Sequence, residues 1–303
     1  MNEYILKQLG SVVSTENIYP DEKMDKHTTF RTGGKADCYI KVSSQKELCD
    51  LIKLLKTMDR EYYIVGNGSN LLVSDEGYKG IIISMLGSMS DISVDGDLIY
   101  AQAGALNSQV ARVAKDNSLT GLEFAAGIPG TVGGAMIMNA GAYDGEMAGV
   151  VKSVDILNKN GEVMTLTNSE MDFGYRHSAI KNSGHIVLGA SFKLQKGDVA
   201  SIEAKMQDFA SRRREKQPLE YPSAGSTFKR PEGLFAGKLI QDAGLKGYTV
   251  GGAQVSEKHA GFVINKGNAT SSDIYRLIKD VQAKVLENSG VELEPEVIML
   301  GKF

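Results

Sequence analysis

Cysteine is nearly absent from this 303-residue chain: only Cys38 and Cys49 occur, and neither has another Cys or a His at metal-ligand spacing. That excludes a disulfide scaffold and a cysteine-built metal site, and both thiols read as buried groups of a reducing compartment. No metal is expected. Long apolar runs are missing too. A membrane helix needs ~20 consecutive apolar residues, whereas the run Ile81-Ile82-Ile83 is broken at Ser84. The opening residues Met1-Asn2-Glu3-Tyr4-Ile5-Leu6 place an acid at position 3 with no sustained apolar core, so no secretion signal is expected and the reading is cytoplasmic. An excess of positive charge is the third absence. Lys+Arg number 34 against 37 Asp+Glu, a net charge of −3, which gives no global field for nucleic acid or an anionic membrane. Any anionic ligand must be met by a local site.

What remains is an ordinary globular composition, 42% hydrophobic and 23% charged, long enough for about two domains. Glycine is the residue in surplus. Ten of the 34 glycines gather at 33–34, 66–68, 127–134 and 251–252, where backbone must pass close to something. Residues 36–42 read as a strand, and Ser44 opens a helical pattern with Leu48, Leu51, Ile52, Leu55 and Met58 on one face. Tyr62-Tyr63-Ile64-Val65 reads as a strand ending at Gly66. Short strands follow between 80 and 103, with a turn at Asp95-Gly96-Asp97, then a helix over 107–117. A hairpin is expected from 154–157 and 163–166 around Asn158-Lys159-Asn160-Gly161. Residues 198–216 read as a charged helix, and 272–288 as an amphipathic one. Strands and helices in this uneven order predict an α+β fold, with the main boundary near 198.

The glycine clusters invite a phosphate loop, yet both standard signatures fail. No G-x-G-x-x-G opens a helix, and Gly233-Leu234-Phe235-Ala236-Gly237-Lys238 is one residue short of a Walker loop and lacks its Ser/Thr. Gly66-Asn67-Gly68-Ser69-Asn70 directly follows a strand, where successive amides form an anion nest suited to a pyrophosphate; by spacing alone it reads equally as an Asn-Gly turn. The second cluster, Gly127-Ile128-Pro129-Gly130-Thr131-Val132-Gly133-Gly134-Ala135, is expected to be a loop throughout, because a helix does not persist through Pro129 and these glycines at ordinary cost. It reads either as backbone laid against a ligand or as tight loop packing.

Taken together, the motifs are specific. Phe30-Arg31-Thr32-Gly33-Gly34, Gly66-Asn67-Gly68-Ser69-Asn70, Gly127-Ile128-Pro129-Gly130, Asn139-Ala140-Gly141-Ala142-Tyr143, Tyr175-Arg176, Gly225-Ser226-Thr227-Phe228-Lys229 and Leu293-Glu294-Pro295-Glu296-Val297 occur in this order along nearly the full chain. In these motifs the sequence resembles the UDP-N-acetylenolpyruvoylglucosamine reductase family, flavoenzymes of bacterial peptidoglycan synthesis. The resemblance implies an FAD-binding α+β domain of the vanillyl-alcohol-oxidase type over 1–198, in subdomains of about 1–74 and 75–198, and a smaller α+β substrate-binding domain over 199–303. It implies non-covalent FAD, NADPH as hydride donor, a small-molecule substrate, and a monomer or weak oligomer.

The family reaction delivers hydride to the β-carbon of an enolpyruvyl ether and leaves charge on the α-carbon and carboxylate, which calls for fixed cationic or hydrogen-bonding groups and then a proton donor. Three residues match the family's catalytic positions: Arg176, Ser226 and Glu296. A guanidinium clamps a carboxylate bidentately and stays charged; by itself, Arg176 after a tyrosine reads as a surface or ion-pair residue. Ser226 is implied as the proton donor, with Lys229 and Arg230 as cations that ease proton loss; alone it reads as a turn serine. Glu296, expected in a final strand over 294–300 with Val297 on the opposite face, would hydrogen-bond the enolic oxygen if it carries a proton. The resemblance also places Gly66, Asn67, Gly68, Ser69, Asn70, Leu71, Gly127, Ile128, Gly130, Thr131, Gly133, Ala135 and Asn139 at the cofactor. At the substrate it places Tyr143, Lys216, Lys229, Arg230, Lys246 and His259. Lys216 closes the basic run Arg212-Arg213-Arg214-Glu215-Lys216, which without the family reads as a solvated helix face. Arg230 stands where many relatives have Asn, and the segment from Arg176 to Ile186 is too short for the capping-tyrosine loop of the longer branch, so the chain is assigned to the shorter one.

Two other readings are open at this stage. An oxidase on the same fold would often tether flavin through His or Cys, and neither glycine cluster contains one. A non-catalytic nucleotide-sugar binding protein would keep the glycine loops without needing Arg176, Ser226 and Glu296 together.

Overall fold

The structure, a computed structural model, describes residues 1–303. In chain order it contains α1 (Glu3–Leu9), β1 (Ile18–Pro20), β2 (Ala36–Lys41), α2 (Gln45–Thr57), β3 (Tyr62–Val65), β4 (Leu71–Val73), β5 (Tyr78–Ser84), β6 (Ile92–Asp95), β7 (Leu98–Gln102), α3 (Asn107–Asp116) and α4 (Val132–Met138). It continues with β8 (Val151–Leu157), β9 (Val163–Thr167), β10 (Ile186–Lys193), α5 (Val199–Lys216), α6 (Ala236–Asp242), β11 (Thr249–Val250), β12 (Ala253–Val255), β13 (Val263–Asn265), α7 (Ser271–Ser289) and β14 (Ile298–Leu300). The expected α+β architecture is present. The helix after Ser44 forms as read, because the Ser44 hydroxyl accepts from Glu47 N at 3.2 Å and the apolar stripe is buried.

The chain divides into two compact units that interleave in sequence. Unit 1 holds residues 1–20, 38–67 and 80–212. In it, β3 runs parallel to β5, β5 lies beside β2, and β1 closes the sheet antiparallel to β2. A second, five-stranded antiparallel sheet has the order β9-β8-β10-β7-β6. The Asn158-to-Gly161 turn connects β8 to β9 as expected, with Gly161 at φ 85. One apolar core runs through this unit, from Leu48, Leu51 and Leu55 of α2 to Ile99, Val154, Val187 and Phe192 of the sheet.

The glycine cluster departs from the expected loop at its end. Helix α4 starts at Val132 and runs through Gly133 and Gly134, capped by Thr131, whose hydroxyl accepts from Gly134 N at 3.4 Å. Packing overrides propensity here. Gly133 N donates to Ala103 O at 2.9 Å, and a Cβ on Gly133 would sit only 3.2–3.3 Å from Ala103. The absent side chain lets helix and strand backbones touch, which offsets the ~1 kcal/mol glycine penalty.

Unit 2 holds residues 21–37, 68–79 and 213–303. Its antiparallel sheet β11-β12-β13 is covered by α7, whose Ile274, Leu277, Ile278, Val281 and Val285 recur at helical spacing and are all fully buried. At ~2 kcal/mol for each large aliphatic side chain removed from water, this face is a principal source of the unit's stability. β14 pairs in parallel with β4, so the last strand is held by a segment more than 200 residues earlier in the chain. The final strand is shorter than expected: it begins at Ile298, and Glu296 precedes it.

The N-terminus of α7 is held twice. Thr270 and Asp273 form a capping box, and the Asp75 carboxylate accepts from Ser271 N and Ser272 N at 2.8 Å each and from Ser272 Oγ at 2.6 Å. Asp75→Ala removes this charge-assisted cap and is expected to cost about 1 kcal/mol, read as a lower midpoint of urea unfolding with an unchanged slope.

Candidate functional site

In unit 1 the two glycine segments lie directly against each other. Gly66 emerges from β3 facing Thr131, and a Cβ on Gly66 would overlap the Thr131 hydroxyl. Asn67 Nδ2 donates to Pro129 O at 2.7 Å, and Asn107 N donates to Gly130 O at 3.0 Å. Gly127 ends a 3-10 turn, Ile128 N donates back to Ala125 O at 3.0 Å, and Ala135 is buried in α4. Beside this contact lies a cavity lined by Gly66, Gly104, Thr131, Gly133, Gly134 and His185 above an apolar floor that includes Ile64 and Val187. The Nδ1 atom of His185 is buried without a partner. Bare glycine backbone, an apolar floor and an unsatisfied ring nitrogen fit a dinucleotide cofactor such as FAD, whose flat ring systems lie close against backbone without side chains and offer hydrogen-bonding edges to the His185 nitrogen. His185 and Gly104 escaped the sequence reading because each is a lone residue outside any motif.

The remainder of the first glycine motif belongs to unit 2. Gly68 adopts φ 59, and a Cβ there would overlap the His27 carbonyl oxygen. Thr29 N donates to Gly68 O at 3.2 Å, and Ser69 lies between this turn and Asn70. Asn70 Nδ2 donates to Glu296 O at 3.1 Å, Ile298 N donates to Asn70 O at 3.0 Å, and Leu71 is buried in β4.

Two tight turns of unit 1 carry expected substrate and catalytic residues. Tyr143 and Asp144, at φ 52 and 65, form the two-residue turn between Ala142 and Gly145, a left-handed pair that suits a hairpin. Tyr175 and Arg176 form another, closed by mutual backbone bonds between Gly174 and His177 of 3.1 and 3.2 Å, with Arg176 at φ 54. The structure brings these turns together: Arg176 Nη2 donates to Gly141 O at 3.3 Å. On the other side Tyr143 stacks on Phe209 of α5 at 4.5 Å, and the Arg212 guanidinium lies 5.7 Å from the Tyr143 ring. Of the basic run, Arg212 is therefore the member that meets Tyr143. Lys216, the last residue of α5, is exposed in unit 2.

In unit 2, Thr227 is the pivot. Fully buried, it donates from N to Gly261 O at 2.9 Å, accepts from Val263 N on Oγ1 at 2.9 Å, and accepts from Glu296 N on its carbonyl at 2.8 Å. Phe228 pairs with Pro295, and Lys229 N donates to Glu294 O at 2.9 Å. Ser226 and Glu296 thus sit on neighbouring paired segments, with Ser226 exposed beyond Gly225 at φ 75. The two cations expected beside Ser226 have engagements of their own: Lys229 pairs with the Glu294 carboxylate, and the Arg230 guanidinium lies 4.6 Å from the Phe235 ring. His259 lies two residues before Gly261, the partner of Thr227 N, and its Nδ1 accepts from Gly261 N at 3.1 Å, which leaves the ring proton of the neutral imidazole on Nε2. Burial pushes the His259 imidazole below its ordinary value, and the charge of Lys246 pushes in the same direction.

A glycine cradle built on this α+β scaffold defines an FAD-binding flavoprotein, and a family model described as an FAD binding domain matches residues 36–167. A second, described as the C-terminal domain of UDP-N-acetylenolpyruvoylglucosamine reductase, matches residues 217–300. Reductases of that name from Clostridium perfringens and Clostridium botulinum are 49% and 50% identical to the chain over its whole length, and the chain spans 100% and 99% of them. The crystal structure of the corresponding enzyme from Thermus caldophilus superposes with a TM-score of 0.81 at 34% identity, covering 92% of this chain and 98% of that one. The chain belongs to the UDP-N-acetylenolpyruvoylglucosamine reductase family. No helix is long and apolar enough to cross a membrane.

Gly66→Ala forces Thr131 away and is expected to weaken FAD binding at least tenfold while the far-ultraviolet circular dichroism is retained; a flavin titration followed by fluorescence measures it. His259 yields a pH prediction. Its folded pKa is depressed, so below about pH 6.5 the unfolded chain takes up a proton that the folded chain resists. Stability present above that pH is lost as pH falls, and His259→Gln is expected to flatten the decline between about pH 6.5 and 5 in thermal melts.

Proposed function

We propose that the chain reduces UDP-N-acetylglucosamine enolpyruvate to UDP-N-acetylmuramate at the expense of NADPH, a step of bacterial peptidoglycan precursor synthesis. FAD, held by the glycine-lined cavity of unit 1, would supply the redox chemistry that carries a hydride from NADPH to the enolpyruvyl β-carbon. The chain's own residues manage the charge and the proton. Arg176 meets the substrate carboxylate and stabilises the negative charge that develops across it and the α-carbon. Ser226 gives its hydroxyl proton to the α-carbon, so that one hydride and one proton saturate the double bond. Glu296 hydrogen-bonds the enolic oxygen when its carboxyl group holds a proton.

The observation that carries this reading is the pairing through Thr227, which holds Ser226 and Glu296 on adjacent segments. An exposed serine there has no packing duty, and a hydroxyl on a segment paired with one that carries a carboxyl group suits protonation of a basic carbanion. Tyr143 with Arg212, and His259 with Lys246, supply aromatic and cationic surface for a sugar nucleotide, with Lys216, Lys229 and Arg230 as further basic groups. We assign 1–198 to FAD and 199–303 to substrate as a division of labour along the sequence, although the two compact units interleave and do not follow those bounds. We read the protein as a cytoplasmic monomer or weak oligomer that requires no nucleic acid or membrane partner.

Ser226→Ala separates the two half-reactions. Reduction of the flavin by NADPH is expected to persist, while turnover of the enolpyruvyl substrate falls by about 10²–10⁴. Stopped-flow absorbance at the flavin band measures both, and an equal loss in each would remove Ser226 from the proton-donor role.

A further inference from the structure

Helix α4 links two parts of unit 1 that the chemistry must hold in register. Gly133 and Gly134 in its first turn line the cofactor cavity, and its C-terminal end meets the turn that carries Arg176. Two fully buried polar side chains make that joint. Ser178 donates its hydroxyl to Ile137 O at 2.8 Å, using a carbonyl of the last helical turn that has no partner within the helix. Asn139 caps the helix in the left-handed conformation, at φ 42; its Nδ2 donates to Gly174 O at 3.0 Å, and its Oδ1 accepts from Ala148 N at 2.9 Å. Both ends of the Asn139 amide are thus engaged within the unit.

The turn needs such support. Arg176 occupies a backbone conformation that a non-glycine residue adopts at a cost, and its neighbours Tyr175 and His177 are exposed. Further ties come from Lys181, whose ammonium donates to Arg176 O at 3.1 Å, and from the Arg176 bond to Gly141 O. Ser178 and Asn139 bind the turn to the helix end itself, and with it to the cavity, which Ile137 at that end and Gly133 and Gly134 at the other both line.

We propose that Ser178 and Asn139 are positioning residues: through α4 they fix the Arg176 guanidinium relative to the cofactor cavity, and neither touches a ligand. This gives Asn139 a different duty from the cofactor contact implied by the resemblance. It also explains a buried hydroxyl that lies outside every recognised motif. A bidentate clamp loses its effect when displaced by about an ångström, so a missing latch should be felt in the substrate half-reaction. The inference rests on the reading of Arg176 as the group that meets the substrate carboxylate.

The test is a double-mutant cycle on the full-length, FAD-loaded protein with Ser178→Ala, Arg176→Ala and the pair combined. Reoxidation of the reduced flavin by UDP-N-acetylglucosamine enolpyruvate is followed anaerobically. Ser178→Ala is expected to slow reoxidation about tenfold and raise the substrate KM, with reduction by NADPH changed by less than about twofold. In the Arg176→Ala background, removing the hydroxyl is expected to cost nothing more, because its effect runs through the guanidinium. Additive losses would overturn the proposal, as would equal slowing of both half-reactions. If Arg176→Ala alone leaves reoxidation unchanged, the reading of Arg176 fails and the inference with it. If Arg176→Ala is damaging and Ser178→Ala is not, the inference alone fails. Should Ser178→Ala not fold, Ser178→Cys, close in shape with a weaker donor, is put through the same cycle and is expected to give a smaller, equally non-additive loss.

Discussion

The close approach of Gly66 to Thr131 is the constraint on which the cofactor site depends. A strand end and a helix N-cap can share that space only because one partner has no side chain. Once they do, Asn67 can reach Pro129 O, and the rest of the cradle follows. The same economy recurs one layer away, where Gly133 lets α4 lie on Ala103 and Gly104 leaves the Met85 carbonyl unobstructed. Cavity walls made of backbone cannot relax by changing rotamer, so their shape is fixed by the fold. That rigidity suits the binding of a large cofactor without a covalent tether.

In unit 2 one residue has a comparable role. Thr227 spends its amide and hydroxyl on the 261–263 segment and its carbonyl on Glu296 N, and this holds the residues on either side of it, Ser226 included, beside the segment that carries Glu296. Buried and satisfied groups do the holding, and the exposed neighbour is left for chemistry. In unit 1 the half-buried Arg176 is held in a comparable way, with Ser178 and Asn139 fully buried beside its turn. Sites assembled in this way change reactivity by changing one exposed side chain while the scaffold stays intact.

Much of this was legible in the sequence because local patterns decided it. The Ser44-capped helix, the hairpin around Asn158 to Gly161 and the amphipathic α7 each declare themselves within a dozen residues. The motifs named the family correctly. What escaped was decided at long range. Helix α4 begins inside a glycine cluster because Ala103, thirty residues earlier, packs so closely on Gly133 that a side chain there would be crowded. The final strand starts at Ile298 because β4 offers only three residues to pair with, which leaves Glu296 in a connection fastened by Thr227 and Asn70. The interleaving of the two units follows from pairings such as β14 with β4, which no local window contains. His185 and Ser178 carried no signal at all, since a single histidine or serine beside an apolar strand is commonplace.

The central claim is that this chain holds flavin and passes hydride from NADPH to an enolpyruvyl ether. An anaerobic absorbance titration of the purified protein, first with NADPH and then with UDP-N-acetylglucosamine enolpyruvate, tests both halves in one cuvette. The account predicts a flavin band that bleaches with NADPH and returns with the enolpyruvyl compound. A protein that shows no flavin band even after FAD is added, or a bleached band that only oxygen restores, would contradict it.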